Sequence, residues 1–330
     1  MSTASNLKDI SPIGAPAFAT RIFGWGMLAV LLAFFINNIL VVAFDFPTIT
    51  AVFGDDSRAW VLAAIYAICI AGAIYWVTRT PTRALRYDAR KISKFNAYLI
   101  RGCFFTVLLT GAVDASIAFL RVEGLLPQLF SENMAKELIR ARFIGPWIHM
   151  PLAILGFTIA LFTRSLGFIW LALMIVVAEL LIVISRFVFS YEQALMGDLV
   201  RYWYAALFLF SSAYTLLEEG HVRVDVLFAG FNPRTKGKVN AIGSILLGMT
   251  TCWAIILVGL GSKQAIINSP VANWEITQTG TAGMYIKYQM AAFLAIFAIT
   301  MLIQFVSYLF EAVADKRDEP GRHQAAAIAH

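Results

Sequence analysis

The sequence predicts an all-α integral membrane protein of about eight transmembrane helices. It places them as two four-helix halves in parallel orientation, with interfacial amphipathic helices alongside. Three observations predict this. Only 14% of the 330 residues are charged and 60% are hydrophobic, whereas a water-soluble domain carries about a quarter charged residues. The apolar residues cluster in blocks of about twenty, the length that crosses a hydrocarbon core of roughly 30 Å at about 1.5 Å per residue. Lysine and arginine collect in alternate connecting segments, as they do when they set the orientation of a membrane protein.

The elements follow in order. The run "IFGWGMLAVLLAFFINNILVVAF" predicts a helix over 22–44, and the next apolar block one over 58–77. The stretch "TRTPTRALRYDARKISK" then reads as a basic cytoplasmic loop before a third helix, 97–120. In "LPQLFSENMAKELIRARFI", Phe130, Met134 and Leu138 recur every four residues, which predicts a periplasmic amphipathic helix. The fourth span, 147–163, is short, and the link "TRSLG" to the fifth, 168–189, is tight. The remaining spans are 197–217, 239–262 and 284–312, and the same runs are compatible with a count of seven or nine. With both termini placed in the cytoplasm, the inner segments hold about twice as many basic residues as the outer ones.

Between the sixth and seventh spans stand "TLLEEGHVRVDVLFAG" and "FNPRTKGKVNAIG". Val224, Leu227, Phe228 and Phe231 form one apolar stripe. On the other side Glu219 can meet Arg223, and His221 can meet Asp225, four residues on. Asn232-Pro233 stops the helix, and Arg234, Lys236 and Lys238 suit anionic headgroups. The segment reads as a helix lying on the inner leaflet. The alternation of Val222, Val224 and Val226 also allows a short strand there.

The centres of the first four and last four spans are offset by about 142 residues, as in a duplication. The expected division is therefore 1–164, an additional four-helix region, 165–315, a second four-helix domain, and 316–330, a cytoplasmic tail.

Ionisable groups inside spans are costly and need an account. Asp114 in "GAVDASIAF" and Glu179 in "VVAELLIV" are the acids at depth, and the offset sets Asn37 over Glu179. Two isolated acids without clustered polar partners favour hydrogen bonding between helices over ion or proton transfer. Of the histidines only His149 lies in or near a span, too few for a haem held by facing pairs. Cys69, Cys103 and Cys252 lack metal-ligand spacing and read as buried apolar residues. No phosphate loop or nucleophile triad is visible, so neither a cofactor nor a nucleic-acid partner is expected.

The run "EEGHVRVDVLFAGFNPRTKGKV", Glu218 to Val239, resembles the signature of the DctQ-type small membrane subunit of tripartite ATP-independent periplasmic (TRAP) transporters. His221, Val222, Arg223, Val224 and Asp225 match the family's run in order. Arg186-Phe187 resembles its Arg-Tyr, and Ser269-Pro270 its Ser-Pro. Tyr191-Glu192 and Tyr285-Ile286-Lys287 depart from the family's Trp-Glu and Tyr-Ile-Pro. The resemblance covers about residues 165 to 315, and the first 160 have no counterpart in the usual short subunit. It implies a bacterial inner-membrane subunit without an active site. That subunit braces a large permease, which moves an organic-acid-type substrate with sodium and receives it from a periplasmic binding protein. Glu219, His221, Arg223 and Asp225 would form a structural and subunit-contact element. A self-contained secondary transporter with a pathway between the halves, using Asp114 and Glu179, is the alternative. A membrane-embedded enzyme subunit is the third reading.

Overall fold

A computed structural model of the chain describes residues 17–54, 56–164, 167–217, 228 and 230–321. Among them no strand occurs. The helices are α1 (Phe18–Ala43), α2 (Ala59–Arg79), α3 (Leu85–Val122), the short α4 (Leu126–Leu129) and α5 (Glu132–Glu137), α6 (Ala141–Phe162), α7 (Phe168–Phe189), α8 (Ala194–Leu217), α9 (Pro233–Leu260), the short α10 (Asn268–Ala272) and α11 (Lys287–Lys316). Seven of these, α1, α2, α3, α6, α7, α9 and α11, are long and apolar enough to cross a membrane. The eighth expected span is α8, whose 24 residues suffice in length. Asp198, Arg201, Tyr202, Trp203 and Tyr204 in its first half make it less apolar.

The chain forms two compact units. One draws its described residues from Met1–Asn96, Ala213–Lys263 and Ala298–His330, the other from Ala97–Ser212 and Gln264–Phe297.

In the first unit, the start of α3 corrects the expected basic loop. Leu85, Ala89, Ile92 and Asn96 are buried at helical spacing, so the stretch continues the helix instead of leaving it. Polar side chains join this stretch to the C-terminal half of α11. Ser93 Oγ lies 2.7 Å from Ser307 Oγ, and Asn96 Nδ2 donates to the Thr300 carbonyl at 2.9 Å. Arg86, 2% exposed, reaches both Glu311 and Asp315, the latter at 2.7 Å, and donates to the Glu319 carbonyl at 3.0 Å. On α1, Arg21 Nε meets the buried Asp88 at 2.8 Å and its guanidinium also reaches Thr80. The half-buried Arg83 and the exposed Lys91 lie 5.0 and 5.3 Å from the Trp76 ring. Basic composition had disguised a helix because the buried charges of Arg86 and Asp88 are paired.

Asn232-Pro233 proves to be a helix start. Asn232 Oδ1 accepts the Thr235 N–H at 2.8 Å, and Pro233 occupies the first turn of α9, where a missing N–H costs nothing.

In the second unit, α3 and α6 approach closely through small residues. A Cβ on Gly156 would lie 2.6 Å from the Thr106 backbone nitrogen. Gly156→Ala is therefore expected to destabilise the purified protein by about 1–3 kcal/mol, read as a lowered unfolding midpoint in detergent. The expected single helix after α3 is two short ones, because the chain is extended at Phe130 and Ser131. Leu138 turns into a core with Ile117, Leu126, Ile144 and Tyr285, while Phe130 and Met134 stay exposed.

Candidate functional site

The polar residues of the second unit converge on Asp114. α3 carries Asp114 with no exposure, and α6 supplies His149 at the end of a π-helical turn, Gly145–His149. That turn contains Pro146, which has no N–H to give to the helix ladder. His149 Nε2 lies 3.3 Å from Asp114 Oδ1, and the Tyr285 N–H donates to Asp114 Oδ2 at 2.7 Å. On its other side His149 Nδ1 meets the Tyr288 hydroxyl at 2.8 Å. Gln289 Nε2 donates to that same hydroxyl at 2.9 Å, and the Tyr202 hydroxyl of α8 donates to Gln289 Oε1.

One assignment of protons uses all these groups. Tyr202 donates to Gln289, Gln289 to Tyr288, Tyr288 to His149 Nδ1, and His149 Nε2–H to Asp114. The tautomer follows from matching each donor with an acceptor. Such a chain is stabilising when complete, and leaving one member unpaired is expensive.

Two acids, Asp114 and Asp198, fix the segment before α11 together with Arg121. Asp198 Oδ2 accepts from the Thr279 hydroxyl and the Met284 N–H, both at 3.2 Å. Arg121, from the end of α3, donates to the carbonyls of Thr281 and Gly283 at 2.7 and 2.6 Å, and lies 4.0 Å from the centre of the Tyr285 ring. Burial holds the Tyr285 phenol above its ordinary pKa, with Arg121 opposing. It is thus a neutral donor, and it gives its proton to the Ile139 carbonyl at 2.8 Å. Trp274 packs edge-on to Tyr288, with centroids 4.9 Å apart. A Cβ on Gly145 would collide with that indole at 2.1 Å.

This corrects the reading of Asp114 as an acid without clustered polar partners. Glu179 is placed differently, exposed on α7 and outside that network. The two acids are not brought together. Asn37, 6% exposed, donates from Nδ2 to the Leu62 carbonyl at 3.2 Å and ties α1 to α2. Glu219, His221, Arg223 and Asp225 lie outside the described residues. Sequence reasoning missed His149 and Tyr285 as partners of Asp114, Tyr288, Gln289 and Tyr202 as the chain extending from His149, and Arg121 as the clamp on the adjoining segment. The only signal was the presence of polar residues within apolar runs. What the arrangement does chemically is satisfy buried donors and acceptors and hold the 273–286 segment in one conformation.

Residues 171–314 match the family described as tripartite ATP-independent periplasmic transporters, DctQ component. No curated protein and no solved structure matches the chain. The matched stretch takes in Asp198, Tyr202, Tyr288 and Gln289, while Asp114 and His149 precede it. On a multi-pass helical scaffold, residues 171–314 are thus a DctQ-type stretch of the small membrane component of these transporters, and a further helical region precedes it.

Proposed function

We propose that this chain is the membrane brace of a three-part transporter. It holds a large permease subunit, which moves an organic-acid-type substrate together with sodium and receives it from a periplasmic binding protein. Residues 1–164 are the added region, a diverged copy of 165–315, and 316–330 is a tail. Both termini face the cytoplasm of a bacterium whose inner membrane holds the complex. The DctQ match carries this reading. The completed network around Asp114 supports it, since a brace requires fixed loops and satisfied polar groups more than a polar group left free to bind cargo.

Co-purification in mild detergent with the large permease, expressed together with this chain, tests the proposal. The permease is expected to be retained. Replacing Arg223 and Asp225 together is expected to lower its recovery severalfold without altering which substrate the remaining complex transports. A variant complex that assembles fully and prefers another substrate would contradict the bracing role. So would transport by this chain alone in liposomes.

A further inference from the structure

Every described arginine that is at least partly buried is held by the protein, save one. Arg21 and Arg86 meet acids, Arg317 pairs with Glu319, Arg90 and Arg121 donate to carbonyls, and Arg83 lies over Trp76. Arg101, on α3, is half-buried, and no other described residue gives it a hydrogen bond, a carboxylate or a ring. Its Nε is buried without an acceptor. An arginine at the edge of a hydrocarbon layer is costly unless its head reaches a counter-charge.

The surroundings of Arg101 follow from its row. Tyr98, Arg101 and Phe105 share one face of α3, at spacings of three and four. The Tyr98 hydroxyl donates to the Phe157 carbonyl of α6 at 3.4 Å, and a Cβ on Gly167 would lie 3.7 Å from the Phe105 ring. The row therefore faces the end of α6 and the link to α7. α6 runs antiparallel to α3, with the Thr106 hydroxyl on the Ala153 carbonyl and a Cβ on Gly102 meeting the Phe157 ring at 2.3 Å. Continued along both helices, this pairing sets Thr163, just past the end of α6, roughly one turn before Arg101. Side chains of α3 lean toward its N-terminus, so the guanidinium is aimed at that level. There the Thr163 hydroxyl is buried without a hydrogen-bond partner, and the exposed Arg164 follows it. No acid stands between Asp88 and Asp114, or between Glu137 and Glu179, to neutralise the two arginines. Trp170, exposed in the first turn of α7, suits the headgroup region.

From these features we infer that Arg101, Thr163 and Arg164 form a binding site for the headgroup of one anionic phospholipid. The Arg101 fork donates to the phosphodiester oxygens, the Thr163 hydroxyl adds a further donor, and Arg164 supplies a second positive charge. Charge complementarity and depth select the occupant. The site lies where two spans end, the level at which headgroups stand, and the exposed Phe162 and Trp170 flank it with apolar surface for the acyl chains. The site requires only a membrane surface at this level, so it stands apart from the bracing function.

The test uses the full chain, stripped of lipid in detergent and titrated with phosphatidylglycerol, phosphatidylcholine or inorganic phosphate. Phosphatidylglycerol is expected to raise the unfolding midpoint and to remain bound as one molecule in native mass spectra. Arg101→Gln is expected to raise the concentration needed by about tenfold or more, the scale of one hydrogen bond to a charged group. Arg101→Lys and Arg164→Gln are expected to fall between it and the wild type, and Arg142→Gln, at the other end of α6, to match the wild type. In lipid-free detergent Arg101→Gln is expected to unfold at the wild-type midpoint, because no described group loses a partner. A lowered midpoint there would place the role of Arg101 inside the fold and overturn the site. Equal responses of wild type and Arg101→Gln to phosphatidylglycerol overturn it too, as does an equal response to phosphatidylcholine or to inorganic phosphate. So does a wild-type chain that gains nothing from any lipid, the result expected if an acid of a partner chain is the counter-charge.

Discussion

Asp114→Leu is expected to lower the stability of the folded chain by about 2–6 kcal/mol, the cost of leaving two buried donors without an acceptor. The lost carboxylate leaves His149 Nε2 and the Tyr285 N–H without an acceptor in a site with 0–2% exposure. The segment fixed by Tyr285 would loosen with it. Asp114→Asn keeps an acceptor for one of the two donors and is expected to cost about 1–3 kcal/mol, the cost of one unsatisfied buried donor. Adding His149→Phe to Asp114→Leu is expected to restore part of the loss, because it removes the orphaned ring nitrogen. Unfolding midpoints in detergent of the wild type, Asp114→Leu, His149→Phe and the double variant check this as a double-mutant cycle. An Asp114→Asn chain of normal stability whose assembled complex transports nothing would assign Asp114 to transport instead.

The second large effect lies in the other unit. Arg86→Leu is expected to destabilise by about 3–5 kcal/mol as well, because Glu311 and Asp315 then face each other without their common cation. The Glu319 carbonyl loses its donor in the same step. Glu311→Gln and Asp315→Asn, introduced together with Arg86→Leu, are expected to recover at least half of the loss. Lys91→Leu serves as the comparison, since its ammonium only rests over Trp76 at the surface, and its effect is expected to stay within about 0.5 kcal/mol. Equal effects of Arg86→Leu and Lys91→Leu would show that the buried cluster contributes nothing particular.

Three features show where legibility in the sequence ended. The span α7 was read at 168–189, the bounds the structure gives it. Turn signals and bare apolar composition decide both of its ends, and no tertiary contact has to be known. The start of α3 was read as a loop because Arg86, Arg90, Lys91 and Lys94 outweigh Leu85, Ala89 and Ile92 in any count of composition. What makes it helical is a partner helix more than 200 residues away that pairs Arg86 and accepts Ser93 and Asn96. Asn232-Pro233 was read as a stop, and the structure shows the dipeptide as the cap and first turn of α9, a second role that the segment after it decides.

The membrane class and the positions of the long apolar helices were determined by the sequence alone. The physical reason is that a bilayer leaves a backbone no choice but to satisfy itself within about twenty consecutive apolar residues. The partners of Asp114 were decided only by tertiary structure. His149, Tyr285 and Tyr288 stand 35 or more residues from it, and hydrogen bonds need atoms placed to within a few tenths of an ångström, which depends on how each helix is rotated and set against the next. The same rotation buries Asp114 and turns Glu179 outward, so two acids that look alike in the sequence have opposite surroundings in the fold.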